Sequence, residues 1–190
     1  MNLLRLVSTA IVVTPAFCGP SKAGLDTSPH DGDRSTVVRC GTQSYHLAYH
    51  EDDERWETDE FRLVGEPDGG WTELVTVQRL KPDHAGTVAQ LVEFIKSHRE
   101  EAGWGAVQVE GQGPRACVFG AGIAARGGES AFKVVGLIID RGTQAGRSEL
   151  VVIHHTTRLP KDESARFPAI GAQWRERFLR QAAQANASLK

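Results

Sequence analysis

The chain lacks the short motifs that mark many enzymes. No G-x-S-x-G nucleophile elbow, phosphate loop, C-x-x-C, H-E-x-x-H or EF-hand loop occurs in its 190 residues. It also lacks an excess of positive charge, with 22 Lys and Arg against 24 Asp and Glu. A nucleic-acid surface needs basic residues clustered on one face, so nucleic acid is set aside as a partner. No apolar run reaches the roughly 20 residues of a bilayer-spanning helix. Cysteine is scarce too, limited to Cys18, Cys40 and Cys117.

What is present begins with a leader. Met1–Arg5 is a short basic start, Leu6–Phe17 is mostly apolar and uncharged, and Ser21-Lys22-Ala23 supplies small residues for a peptidase. This order is that of a secretory signal over 1–23, which implies a periplasmic or secreted protein. Cys18 sits where a lipidated cysteine would, although Phe17 occupies a position that is normally small. Membrane association is expected only if Cys18 is lipidated. Residues 24–36 are polar and rich in Gly, Asp and Ser, which is the composition of a flexible leader; His30, Asp31 and Asp33 within it are read as solvated. The remaining 37–190 suit one domain.

Cleavage after Ala23 leaves Cys40 and Cys117. In an oxidising compartment such a pair is a disulfide candidate, and closing so long a loop contributes on the order of 4 kcal/mol in the chain-entropy model. The alternative is two buried free thiols.

Period-2 alternation dominates the domain. Strands are expected at 45–50, 60–64, 71–78, 106–109, 117–124, 132–139 and 150–157, with the last but one central because it is apolar on both faces apart from Lys133. Val88, Leu91, Val92 and Ile95 form one helical stripe, which predicts a helix over about 86–102 ended by Gly103. Phe167, Ile170, Trp174 and Phe178 predict a second, over about 164–185. Short turns between consecutive strands require antiparallel pairing. The expected fold is therefore α+β: a largely antiparallel twisted sheet of about 6–7 strands covered by two helices.

Four features invite a chemical reading. Gly120, Gly122 and Ala125 match dinucleotide-loop spacing, but another strand begins near Ala131, leaving no room for the helix that would receive a pyrophosphate. A bulged strand, or one packed closely under a large side chain, accounts for these glycines better. His154-His155 is the most enzyme-like feature. Adjacent strand residues face opposite ways, so the pair does not chelate one ion; each is read as ending a core strand, with a general-base role as the alternative. His46 and His50 are placed on one strand face about 13 Å apart, too far to share a metal. The stretch Glu51–Glu60 holds seven carboxylates around Trp56; it is read as a solvated loop, or as an acidic docking site with an exposed aromatic. No metal or cofactor is expected.

Trp71-Thr72-Glu73-Leu74-Val75-Thr76-Val77-Gln78, a strand after a Gly-rich turn, resembles a W-[ST]-E-x-x-T-x-Q motif of small bacterial envelope proteins. The resemblance implies a periplasmic location in a Gram-negative bacterium and transfers no catalytic residues. The order of elements is similar to that of PsbP-like α/β/α sandwich folds, a likeness that bears on fold alone. The expected function is that of an exported, non-enzymatic binding or accessory protein of the envelope, in contact with another envelope protein. Trp56, Trp71, His154 and His155 are its candidate binding residues. The alternative is a small periplasmic hydrolase using His154 or His155.

Overall fold

Alternating strands on either side of one amphipathic helix fold into two four-stranded meanders set side by side. The computed structural model describes residues 37–40, 42–67, 70–81, 84, 86–101, 104–111, 113–124, 130–142 and 149–187. The signal segment 1–23 with Cys18, the leader 24–36 and Gly103 lie outside the described residues. The first meander comprises β1 (Val37–Cys40), β2 (Gln43–Asp52), β3 (Trp56–Leu63) and β4 (Glu73–Leu80). The second comprises β5 (Val107–Glu110), β6 (Ala116–Ala124), β7 (Ser130–Asp140) and β8 (Leu150–Pro160). They join through antiparallel pairing of β4 with β8, giving the order β1-β2-β3-β4-β8-β7-β6-β5. This is an α+β fold on one antiparallel sheet of eight strands, one more than the upper end of the expected range. The additional strand is β1.

Helix α1 (Val88–Ser97) connects the meanders, and α2 (Phe167–Ala187) follows β8 through a 3-10 turn at Lys161–Arg166. A capping box starts α1: Gln90 N–H donates to Thr87 Oγ1 at 3.2 Å, and Thr87 N–H donates to Gln90 Oε1 at 2.9 Å. The helix stops at Ser97, short of the expected 102. There the His98 N–H and the Ser97 hydroxyl both donate to the Phe94 carbonyl, at 3.1 and 3.0 Å, closing the last turn before Gly103 is reached.

The helices pack on opposite faces. On the α1 face, Val88, Leu91, Val92 and Ile95 meet Trp56, Leu80, Trp104, Cys117, Phe119, Val134, Ile138 and Val152. On the α2 face, Trp174, Phe178 and Ala182 meet Tyr45, Phe61, Val75, Val118, Val135 and Leu137. β7, the expected central strand, contributes to both. Asn186 ties the end of α2 to the sheet, accepting at Oδ1 from Arg115 N–H and Ala116 N–H at 3.2 and 3.1 Å and donating to the Ala116 carbonyl at 3.0 Å.

The glycines divide by role. A side chain at Gly136 would place its Cβ 2.2 Å from the Phe119 ring, so Phe119 lies flat on β7 only because residue 136 is bare. Gly120 and Gly122 have no large side chain above them: a Cβ at 120 would meet nothing nearer than the Val134 carbonyl oxygen at 3.8 Å, and one at 122 nothing within 4 Å. The close packing expected over these two belongs instead to Gly136.

The Cys40–Cys117 disulfide does not form. β1 and β6 stand six strand positions apart in the sheet, or roughly 25–30 Å at about 4.8 Å per strand, whereas a bridge needs Cα atoms within about 7 Å. Cys117 is a buried free thiol, and burial pushes its pKa up to about 11.

Candidate functional site

The two histidines of β8 face opposite ways, as strand geometry requires, but neither ends a strand. β8 runs on to Pro160, leaving His154 6% and His155 1% exposed.

His155 belongs to a closed polar network on the α2 face. Register sets Val75 of β4 beside it, and from the end of β4 the Glu73 carboxylate reaches its Nε2 at 3.2 Å. Tyr45 of β2 donates its hydroxyl to the same Glu73 oxygen at 2.7 Å. Because an ionised carboxylate only accepts, Nε2 carries the ring proton and Nδ1 is left to accept from the Thr157 hydroxyl at 3.4 Å. The His155 bond is the main influence holding Glu73 below the usual carboxylate range, with burial opposing it and Tyr45 helping. Burial drives the His155 pKa down, and Glu73 partly offsets this. Trp174 of α2 closes the site, stacked on the imidazole with centroids 4.0 Å apart and planes 13° apart; Tyr45 meets Trp174 edge-on at 6.5 Å.

Carboxylate, imidazole and hydroxyl are thus in relay order, as in hydrolases that activate an alcohol. A nucleophile must also reach its substrate, and Thr157 is 2% exposed. As arranged, the relay orients core side chains and anchors α2.

His154 lies on the α1 face in a transverse row with Glu60 and Thr76, followed by Gly136 under the Phe119 ring. Its Nε2 is buried without a hydrogen-bond partner among the described residues. Burial, with His155 adding, pushes its pKa down to about 4, so the ring is neutral at neutral pH. Burial also raises the Glu60 pKa, with Arg62 opposing.

The acidic stretch is a hairpin and not a loop, and Trp56 is not an exposed aromatic. Trp56 opens β3 and packs in the core at 4% exposure, so the stretch does not present it to a basic partner. Most of the charge is already answered. Asp53 accepts from Arg55 N–H and Trp56 N–H at 2.7 Å, and Asp52 pairs with Lys81 at 2.6 Å. Asp59 receives Arg79 Nη1 at 2.7 Å and His50 Nδ1 at 2.8 Å. Burial pushes the Asp59 pKa up, but the Arg79 and His50 hydrogen bonds together hold it below normal. His50, Glu57 and Asp59 place ligand atoms within 4.8 Å of one another, yet the Arg79 guanidinium already supplies the cation, lying 3.8 Å from Glu57 as well. His46 and His50 do not share a face: an irregularity between Leu47 and Tyr49 shifts the register, pairing His46 with Arg62 and His50 with Asp59. Alternation alone gives no sign of that bulge.

The envelope-like motif is used by the fold on both faces. Glu73 holds His155; Thr76 and Gln78 are buried on the α1 face; and Thr72 N–H donates to Glu66 Oε1 at 2.8 Å. Trp71 remains half-buried, 6.1 Å from the Phe132 ring, with the Arg158 guanidinium 5.8 Å over its own ring.

Among the described residues no helix is long and apolar enough to cross a membrane. No protein-family model, curated protein or solved structure matches the chain.

Proposed function

We propose that this is an exported, non-enzymatic binding or accessory protein of the bacterial envelope, periplasmic or secreted, serving a secretion or envelope-assembly system through contact with another envelope protein. The secretory order of residues 1–23 and the W-T-E-L-V-T-V-Q strand support export. The observation that carries the binding reading is the closure of His155 beneath Trp174: among the described residues, the one histidine with a carboxylate and a hydroxyl in relay is sealed from substrate. Of the four candidate binding residues, Trp71 keeps a partly accessible ring, and the Arg158 guanidinium beside it completes a pair of the residue types that dominate interface energetics. Mild cross-linking in envelope extract tests this. A specific partner is recovered with the wild type, and recovery falls severalfold with Arg158→Ala. Location in the cytoplasmic fraction, or cross-linking indifferent to Arg158, contradicts it.

The second reading is a small periplasmic hydrolase using His154 or His155, favoured by the Glu73–His155–Thr157 order of hydrogen bonds. It requires Trp174 to leave the imidazole. Ester hydrolysis abolished by Thr157→Val would establish it in place of the first.

A further inference from the structure

A small cleft lies on the α2 face between β5, β6, β7 and α2, one strand over from His155, which pairs with the lining residue Val135. We propose that it binds the carboxylate of a small monocarboxylic acid. Its volume is about 40 Å³, room for about three water-sized atoms at roughly 10–15 Å³ each, which matches a carboxylate and its carbon. The floor includes Gly120, where a side chain would enter open space rather than strike a neighbour. Val118 and Val135 supply apolar walls, and Gln108 an amide.

The charge comes from Lys133. Its stem passes under α2 against Gly171, with Cε 3.5 Å from the position a Cβ there would take, and no ion pair to its ammonium is found among the described residues. Arg175, at the rim, is held by Glu110, which accepts from its Nε at 2.6 Å. The rim pair is neutral together, so the cleft carries the single positive charge of Lys133. One ammonium and one amide suit a singly charged carboxylate; a phosphate, with more acceptor oxygens, calls for a larger set of donors. The apolar walls suit a short hydrocarbon chain behind it. This inference goes beyond the envelope role proposed above and does not depend on it.

The test is a titration of the isotopically labelled full chain with sodium acetate and sodium propionate, against sodium chloride at matched ionic strength, followed by amide shifts in two-dimensional NMR. Saturable shifts are expected at Gly120, Gly122 and Lys133 in the millimolar range with both acids. Lys133→Met, which keeps the stem over Gly171, weakens both acids at least tenfold. Gly120→Val fills the floor and removes binding. Shifts that do not saturate, a chloride response of equal size, phosphate binding tighter than acetate, or affinity unchanged in Lys133→Met each overturn the proposal.

Discussion

Replacing His154 by leucine removes an acid-sensitive group of the core, and the size of the effect follows from its surroundings. The imidazole titrates near 4 in the folded protein against 6.5 when free. A group whose folded pKa is depressed in this way leaves stability whole above 6.5, and stability falls as the pH drops toward 4, because the unfolded chain takes up the proton first. At about 1.4 kcal/mol per unit, most of the effect, about 2 kcal/mol, is lost between pH 7 and 4.5, and His155, also depressed by burial, adds a loss of the same sign. Since Nε2 makes no hydrogen bond among the described residues, leucine sacrifices none, and at pH 7 the variant should match or exceed the wild type. Urea unfolding at pH 7, 5.5 and 4.5 with a constant slope measures this. The expected outcome is a pH profile flatter by about 2 kcal/mol in His154→Leu. Parallel profiles for the two proteins contradict a depressed His154 pKa, as does a His154 resonance titrating near 6.5.

The other expectations concern packing, the relay and the thiol. Gly136→Ala drives a Cβ into the Phe119 ring and should cost about 1–3 kcal/mol, with Phe119→Leu in the same chain restoring part of it; an unchanged melting temperature for the single variant counts against the close approach. Glu73→Ala strips His155 of its acceptor and leaves the Tyr45 hydroxyl with Gln43 Oε1 at 3.1 Å; it should cost about 1–3 kcal/mol in chemical unfolding, whereas indifference means that the network does not hold the fold. Cys117, buried with its pKa near 11, should react with a thiol reagent only after unfolding, and electrophoresis with and without reductant should show no intramolecular bridge; a mobility shift on reduction is the contrary result.

What the sequence reveals and what it hides divide by range. The opposite facing of His154 and His155 follows from a period of two, and the α1 stripe at Val88, Leu91, Val92 and Ile95 from a period of 3.6; both are properties of a few neighbouring residues. The pairing of β4 with β8 is not local. It brings Glu73 to His155 across more than eighty positions, and no pattern within either strand announces it. The same limit explains Cys40 and Cys117, whose separation depends on strand order and not on spacing. Trp56 is hidden by its company: its neighbours Asp52 and Asp59 pair with Lys81 and Arg79 and Asp53 caps the turn, while its own ring turns inward. The bulge between Leu47 and Tyr49 sends His50 to the other face, a shift set by pairing with β3.

The proposal that this chain binds a partner and does not catalyse is put to the test by comparing wild type with a Trp174→Phe variant, which loosens the cover of His155 while keeping an aromatic ring there. Partner recovery by cross-linking from envelope extract and hydrolysis of p-nitrophenyl acetate are measured side by side. The same partner should be captured by both proteins, with no turnover above buffer in either. Turnover by the wild type that is lost in His155→Gln, with no partner recovered, would contradict it.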